Sequence, residues 1–124
     1  MTLLEVQEIL EAEVLVGHDQ LDMEVNKAGC ADSMADVLFF GKSGMLLLTG
    51  LTNPQVIHTA DIMGLVAIVT VRGKRPSPET IKLAEDLRIP ILATDCILFE
   101  AAGRLYMRGM KAIAEKIRRK RHIK

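Results

Sequence analysis

The chain has 124 residues and a formal net charge of zero, with 49% hydrophobic and 3% aromatic residues and no Trp. That length suits one domain, 1–124, able to bury roughly two-thirds of its unfolded surface around an aliphatic, methionine-rich core. No apolar run nears the ~18 residues of a membrane span, and the acidic amino terminus lacks the basic start of a signal peptide, so a cytoplasmic chain is expected.

Thr2-Leu3-Leu4-Glu5 has capping-box spacing, and Val6, Ile9 and Leu10 supply an apolar face, so a helix is predicted near 3–11. Residues 13–16 form a short strand ending at Gly17. Residues 18–24 are a polar loop, and 25–31 a strand or extended segment. Ser33 and Asp36 repeat the cap-like spacing, and Met34, Val37 and Leu38 support a short helix ending near Gly41.

The stretch from Gly44 to Thr94 reads as strand, helix, strand, helix, strand. Met45-Leu46-Leu47-Leu48-Thr49 is an apolar run without alternation, as in a strand covered on both faces. Asn53 is a good N-cap and Pro54 fits the first helical position. Val56, Ile57, Ala60 and Met63 then recur at helical spacing up to Gly64. Residues 65–71 form a second apolar, β-branched run, broken by Arg72-Gly73-Lys74-Arg75-Pro76. Ser77-Pro78 repeats the helix start, Ile81, Ala84 and Leu87 line its face, and residues 89–93 form a third strand after Pro90. Thr94 or Asp95 then caps a helix whose stripe is Ile97, Leu98, Ala101, Ala102, Leu105 and Tyr106. Gly109 divides it from a last helix, 110–120.

Consecutive strand–helix units predict parallel pairing with right-handed crossovers, hence a three-layer α/β/α domain with a mostly parallel sheet. The three strand ends, near 49–53, 71–75 and 94–95, should lie along one edge, where ligands of open α/β sheets usually bind. Candidate ligand-binding residues are therefore Thr49, Gly50, Thr52, Asn53, Arg72, Gly73, Lys74, Thr94 and Asp95. The first turn offers free backbone N–H groups at a helix start, flanked by hydroxyls. The second offers cations suited to a phosphate or carboxylate. The same residues also fit ordinary turns, caps and a solvated loop, and Asp95 fits a cap before it fits a crevice.

Catalytic and metal chemistry find little footing. GxGxxG and GxxxxGK[ST] are both absent. His18, His58 and His122 stand in unrelated settings, with no serine or cysteine partner nearby. The Cys/His count is too low for a closed zinc site. Cys30 and Cys96 form no CxxC pair and read as buried thiols. Asp32 and Asp36 fit a helix start better than a shared cation. No cofactor, no metal and no enzyme activity are expected.

Charge is uneven along the chain. Residues 1–36 carry nine acids and one base, whereas 111–124 carry seven bases and one acid. Solvated faces account for this, or opposed surfaces of a dimer. Nucleic acid is disfavoured, since the basic tail has no aromatics for stacking.

Lys42-Ser43-Gly44-Met45-Leu46-Leu47-Leu48-Thr49-Gly50, then the run from Val69 to Glu79, then Ala84-Glu85 and Ile89-Pro90-Ile91-Leu92-Ala93-Thr94, resemble the DRTGG domain. The resemblance covers about residues 3–110, a core that leaves 111–124 as a basic helix or tail. The chain resembles in particular the stand-alone DRTGG proteins similar to the amino-terminal domain of HPr kinase/phosphorylase. The family's Asp-Arg pair falls on Thr52-Asn53 and its Thr-Gly-Gly on Val71-Arg72-Gly73, so only Gly73 matches the name-giving residues. The resemblance implies an α/β domain with a regulatory or dimer-forming role. Kinase activity in HPr kinase belongs to a separate domain with a phosphate-binding loop.

The function expected is non-catalytic regulation: a self-associating domain that senses an anionic metabolite or nucleotide at the strand-end loops. The alternative is an interaction module without a small ligand, joining a second copy or another protein through the helix at 95–108 and the methionines Met34, Met45, Met63, Met107 and Met110.

Overall fold

The computed structural model describes residues 1–113. Helix α1 (Leu3–Leu10) opens on the expected capping box, Thr2 with Glu5, and leads into β1 (Glu13–Val16). A short turn at His18–Gln20 precedes β2 (Lys27–Cys30) and α2 (Met34–Phe40), whose N-cap is Ser33. The central unit is β3 (Leu46–Thr49), α3 (Pro54–Met63), β4 (Ala67–Thr70), α4 (Pro78–Leu87) and β5 (Ile91–Ala93). Asn53 and Ser77 cap α3 and α4, each with a proline at the helix start. Helix α5 (Leu98–Met107) and β6 (Lys111–Ala112) complete the described chain.

The sheet runs β1-β5-β4-β3-β2-β6. Strands β2 to β5 pair in parallel, as do β2 and β6, while β1 lies antiparallel on β5 at the far edge. Alternate residues of the central strands feed two cores. Leu46, Leu48, Ala67, Val69 and Leu92 pack with Leu3, Val6, Ala101 and Leu105, so α1 and α5 cover one face. Leu47, Ile68 and Ile91 pack with Val37, Val56, Ile57 and Ala84, so α2, α3 and α4 cover the other. The three layers and the mostly parallel sheet are thus those expected.

Three expectations need correction. Asp95 does not cap α5: the helix starts at Leu98, its N-cap is Ile97, and no side chain caps it. Instead the Thr94 hydroxyl accepts the Cys96 N–H at 3.2 Å, which keeps the chain extended past residue 95. Residues 111–112 are strand, not helix, because they pair with Lys27 and Ala28; the remainder of the expected 110–120 helix lies outside the described residues. Cys30 is exposed and Cys96 only half-buried. β6 covers only the start of β2, so the Cys30 end of that strand stays near the surface. Both thiols are free, and no helix among the described residues is long and apolar enough to cross a membrane.

Candidate functional site

Strand register decides which turns meet. Cys30 stands beside Leu48, and Thr49 beside Thr70. Two residues further on, Asp32 comes level with Gly50, and the turn after β4 follows alongside. All three strand ends therefore share one edge, with the end of β5 continuing it through Thr70 beside Ala93.

Asp32 ties the first two turns together. Its Oδ1 accepts the Gly50 N–H at 2.6 Å, and its Oδ2 accepts from Arg72 Nη1 at 3.2 Å. The pair stays open to solvent, with the Arg72 side chain 42% and the Asp32 side chain 45% exposed. Gly50 permits the approach: a methyl group there would lie 2.5 Å from Arg72 Nη2 and 3.2 Å from Asp32 Oδ1. One carboxylate thus sits between a backbone donor and a guanidinium, two groups that hold oxyanions well.

The second turn is tightly built. Arg72 has φ 59° and Gly73 φ 68°, and the Lys74 N–H donates to the Val71 carbonyl at 3.0 Å. Two successive left-handed residues closing an i to i+3 bond define a type I′ turn. The Arg72 N–H reaches the Cys96 carbonyl at 2.8 Å and the Gly73 N–H the Thr94 carbonyl at 3.0 Å, lacing this turn to the end of β5. The Thr70 hydroxyl donates to the Lys74 carbonyl at 2.8 Å. Asp95 lies beside Gly73, with its Oδ1 3.2 Å from where a Cβ would stand.

The remaining candidates serve the turns. The buried Thr49 hydroxyl accepts the Leu51 N–H at 3.0 Å. The buried Thr94 hydroxyl donates to the Leu10 carbonyl at 2.8 Å. The Thr52 carbonyl accepts the Thr80 hydroxyl at 3.0 Å, joining the first turn to the start of α4. The Asn53 side chain accepts the Val56 N–H at 3.1 Å. Lys74 and Arg75 are exposed. Arg75 pairs with Glu13 at 3.0 Å; that hydrogen bond holds the Glu13 carboxyl below the usual carboxylate range and lifts Arg75.

Asp32, expected to serve the start of α2, does not: Ser33 caps that helix, and Asp32 joins the turns instead. The signal was present: had residues 25–31 been placed beside the first central strand, Asp32 would have fallen on the same edge. The sequence also gave no hint of a cavity of about 520 Å³ lower on the molecule, between α2, β2, α5 and β6. Val37, Phe40, Met45, Phe99, Tyr106 and Met110 are among its walls. Cys30 lies in its lining, where partial burial and then the Asp32 charge push the thiol pKa up. Among the described residues no group of three or more His, Cys, Asp or Glu converges as a metal site.

No curated protein matches the chain. Among solved structures, it is similar to the crystal structure of the CBS and DRTGG domains of the regulatory region of Clostridium perfringens pyrophosphatase, complexed with the activator diadenosine tetraphosphate. The TM-score is 0.70 at 20% identity, covering 89% of this chain and 47% of that one, so this chain spans about half the length of that structure. The likeness is one of fold. The family model for the DRTGG domain matches residues 5–107, from α1 through the laced turns to the end of α5, and the chain belongs to the DRTGG domain family.

Proposed function

We propose that this chain is a non-catalytic regulatory domain of the cytoplasm that senses an anionic metabolite or nucleotide at its strand-end turns and works as a homodimer. The observation that carries the reading is the Asp32 carboxylate, held by the Gly50 N–H and Arg72. The chain's own anion occupies a cradle that suits a phosphate or carboxylate oxygen from outside. A ligand there competes with Asp32, and displacement of Asp32 frees the segment leading into α2. That exchange supplies the two states a sensor needs.

Within this reading Arg72, Lys74 and the Gly50 N–H are the donors to the ligand. Thr49, Thr52, Asn53, Gly73, Thr94 and Asp95 shape the turns that present them. A nucleotide is favoured among anions because the similar pyrophosphatase region was captured with diadenosine tetraphosphate. Kinase chemistry has no place in it, since the sequence has no GxxxxGK[ST] loop.

A thermal-shift screen with ADP, ATP, diadenosine tetraphosphate and organic acids tests the proposal. At least one anion should raise Tm in the wild-type chain and fail to do so in Arg72→Ala. No shift with any of them, or an equal shift in Arg72→Ala, contradicts it. The second reading, an interaction module without a small ligand, draws support from the exposed apolar side chains Phe99, Tyr106 and Met107 on α5. Under that reading the screen stays silent while light scattering still reports a dimer.

A further inference from the structure

The outer surface of α5 carries a symmetry of its own. Phe99 and Met107 are the two most exposed large apolar side chains described, at 85% and 86%. Each lies four residues from Gly103, and among the described residues nothing stands within 4 Å of the place a Cβ on Gly103 would take. Residues four apart share a helix face. The face is thus a bare centre flanked at equal distance by two bulky apolar groups. Tyr106, also exposed, lies beside it.

Gly in a helix interior is unfavourable, and no contact among the described residues requires it here. A gap of this kind suits close approach by another backbone. We infer that α5 packs antiparallel against α5 of a second copy, with the two-fold axis passing at Gly103 and Phe99 of each copy seated on Met107 of the other. The arrangement is self-complementary, as a two-fold interface must be. It also places a thioether against an aromatic ring, a favourable contact.

These side chains supply over half of the area that such a partner needs. Phe99, Met107 and Tyr106 expose on the order of 450 Å² together, at about 150 Å² for each such side chain. A standard interface takes about 800 Å² from each partner. Three of the chain's four aromatic residues, Phe40, Phe99 and Tyr106, line the neighbouring cavity. The Glu100 and Arg104 side chains bond to each other at 2.7 Å, so the face brings no unpaired charge of theirs into contact.

This inference rests on the homodimer reading and names its surface. It is tested with the full chain by sedimentation velocity and by disulfide trapping. The wild type should sediment as a dimer. Gly103→Arg should be monomeric with an unchanged circular dichroism spectrum, since the site has open space around it. In a background of Cys30→Ser and Cys96→Ser, Gly103→Cys should cross-link to dimer on mild oxidation, because a two-fold axis there brings the two copies of position 103 within disulfide reach. Lys82→Cys, on the exposed face of α4, should not. A wild type that stays monomeric overturns both this interface and the dimer reading. A dimer that survives Gly103→Arg, or fails to cross-link through Gly103→Cys, overturns the interface alone. A monomer whose cavity takes up a small apolar dye without self-association points to a ligand groove instead, and also overturns it.

Discussion

Arg72 has a place in the fold and, as proposed, in the anion site. Its left-handed backbone costs about 1 kcal/mol for a residue with a Cβ. Its ion pair with Asp32 is half exposed and returns less than about 1 kcal/mol. Arg72→Gly should therefore leave stability unchanged or raise it by up to about 1 kcal/mol, as read by urea denaturation, while removing anion binding. A large loss of stability would show that the guanidinium holds the fold together. Glu13 gives the matching test by pH. Its pKa is depressed in the fold by Arg75, so its contribution is full above the ordinary carboxylate range and is lost as pH falls through the lower, folded value. Tm measured from about pH 6 down to pH 3 should fall less steeply in Glu13→Gln than in the wild type. Identical slopes would mean that the pair contributes nothing.

At the scale of elements, the sequence was most legible where a local rule has one outcome. Asn53-Pro54 and Ser77-Pro78 marked the starts of α3 and α4 because a capping side chain followed by proline fits little else. Residues 46–49 and 67–70 read as strands because all eight are buried. Asp95 misled because a carboxylate before an apolar stripe resembles a cap, while the Thr94 hydroxyl, bonded to Leu10 and Cys96, holds the chain extended there. No sequence rule reports a contact with a residue 84 positions away. Of the five methionines expected to supply a contact surface, Met45 and Met110 are buried, Met34 and Met63 are partly buried in the core, and only Met107 stands out. Helical spacing gives a face but not which side of it meets the sheet. The Thr80 hydroxyl, buried and bonded to the Thr52 carbonyl, links α4 to the first candidate turn. Thr80→Val keeps the volume and deletes the bond. It should cost about 1–2 kcal/mol in urea denaturation, and a cost near zero would show that the turn holds its shape without α4.

Across the whole molecule, the order of strands turns separate stretches of sequence into one edge. β2 lies next to β3, β3 next to β4 and β4 next to β5, so Asp32, Gly50, Arg72 and Asp95 line up although they span more than half the chain. The central unit was readable because its neighbours in sequence are neighbours in space. β2 was ambiguous because Gly29 interrupts it and its residues are only half-buried, so its apolar pattern is weak. As proposed, the edge carries the sensing role and the surface of α5 carries self-association. Leu48 lies under both, packed between the sheet and the α1–α5 layer. Leu48→Ala should cost about 2–5 kcal/mol and weaken both properties together, whereas Gly103→Arg should weaken association alone. Loss of anion binding in Gly103→Arg would mean that the two sites are coupled.

The most direct test is a ¹H–¹⁵N titration of the wild type, Asp32→Ala and Arg72→Ala with ADP and with inorganic phosphate, following the Gly50 amide. If Asp32 holds the place of an external anion, the Gly50 signal moves on titration, Asp32→Ala binds several-fold more tightly than the wild type, and Arg72→Ala does not respond. Equal affinity in the wild type and Asp32→Ala, or a Gly50 amide that stays still while signals elsewhere move, would contradict the account.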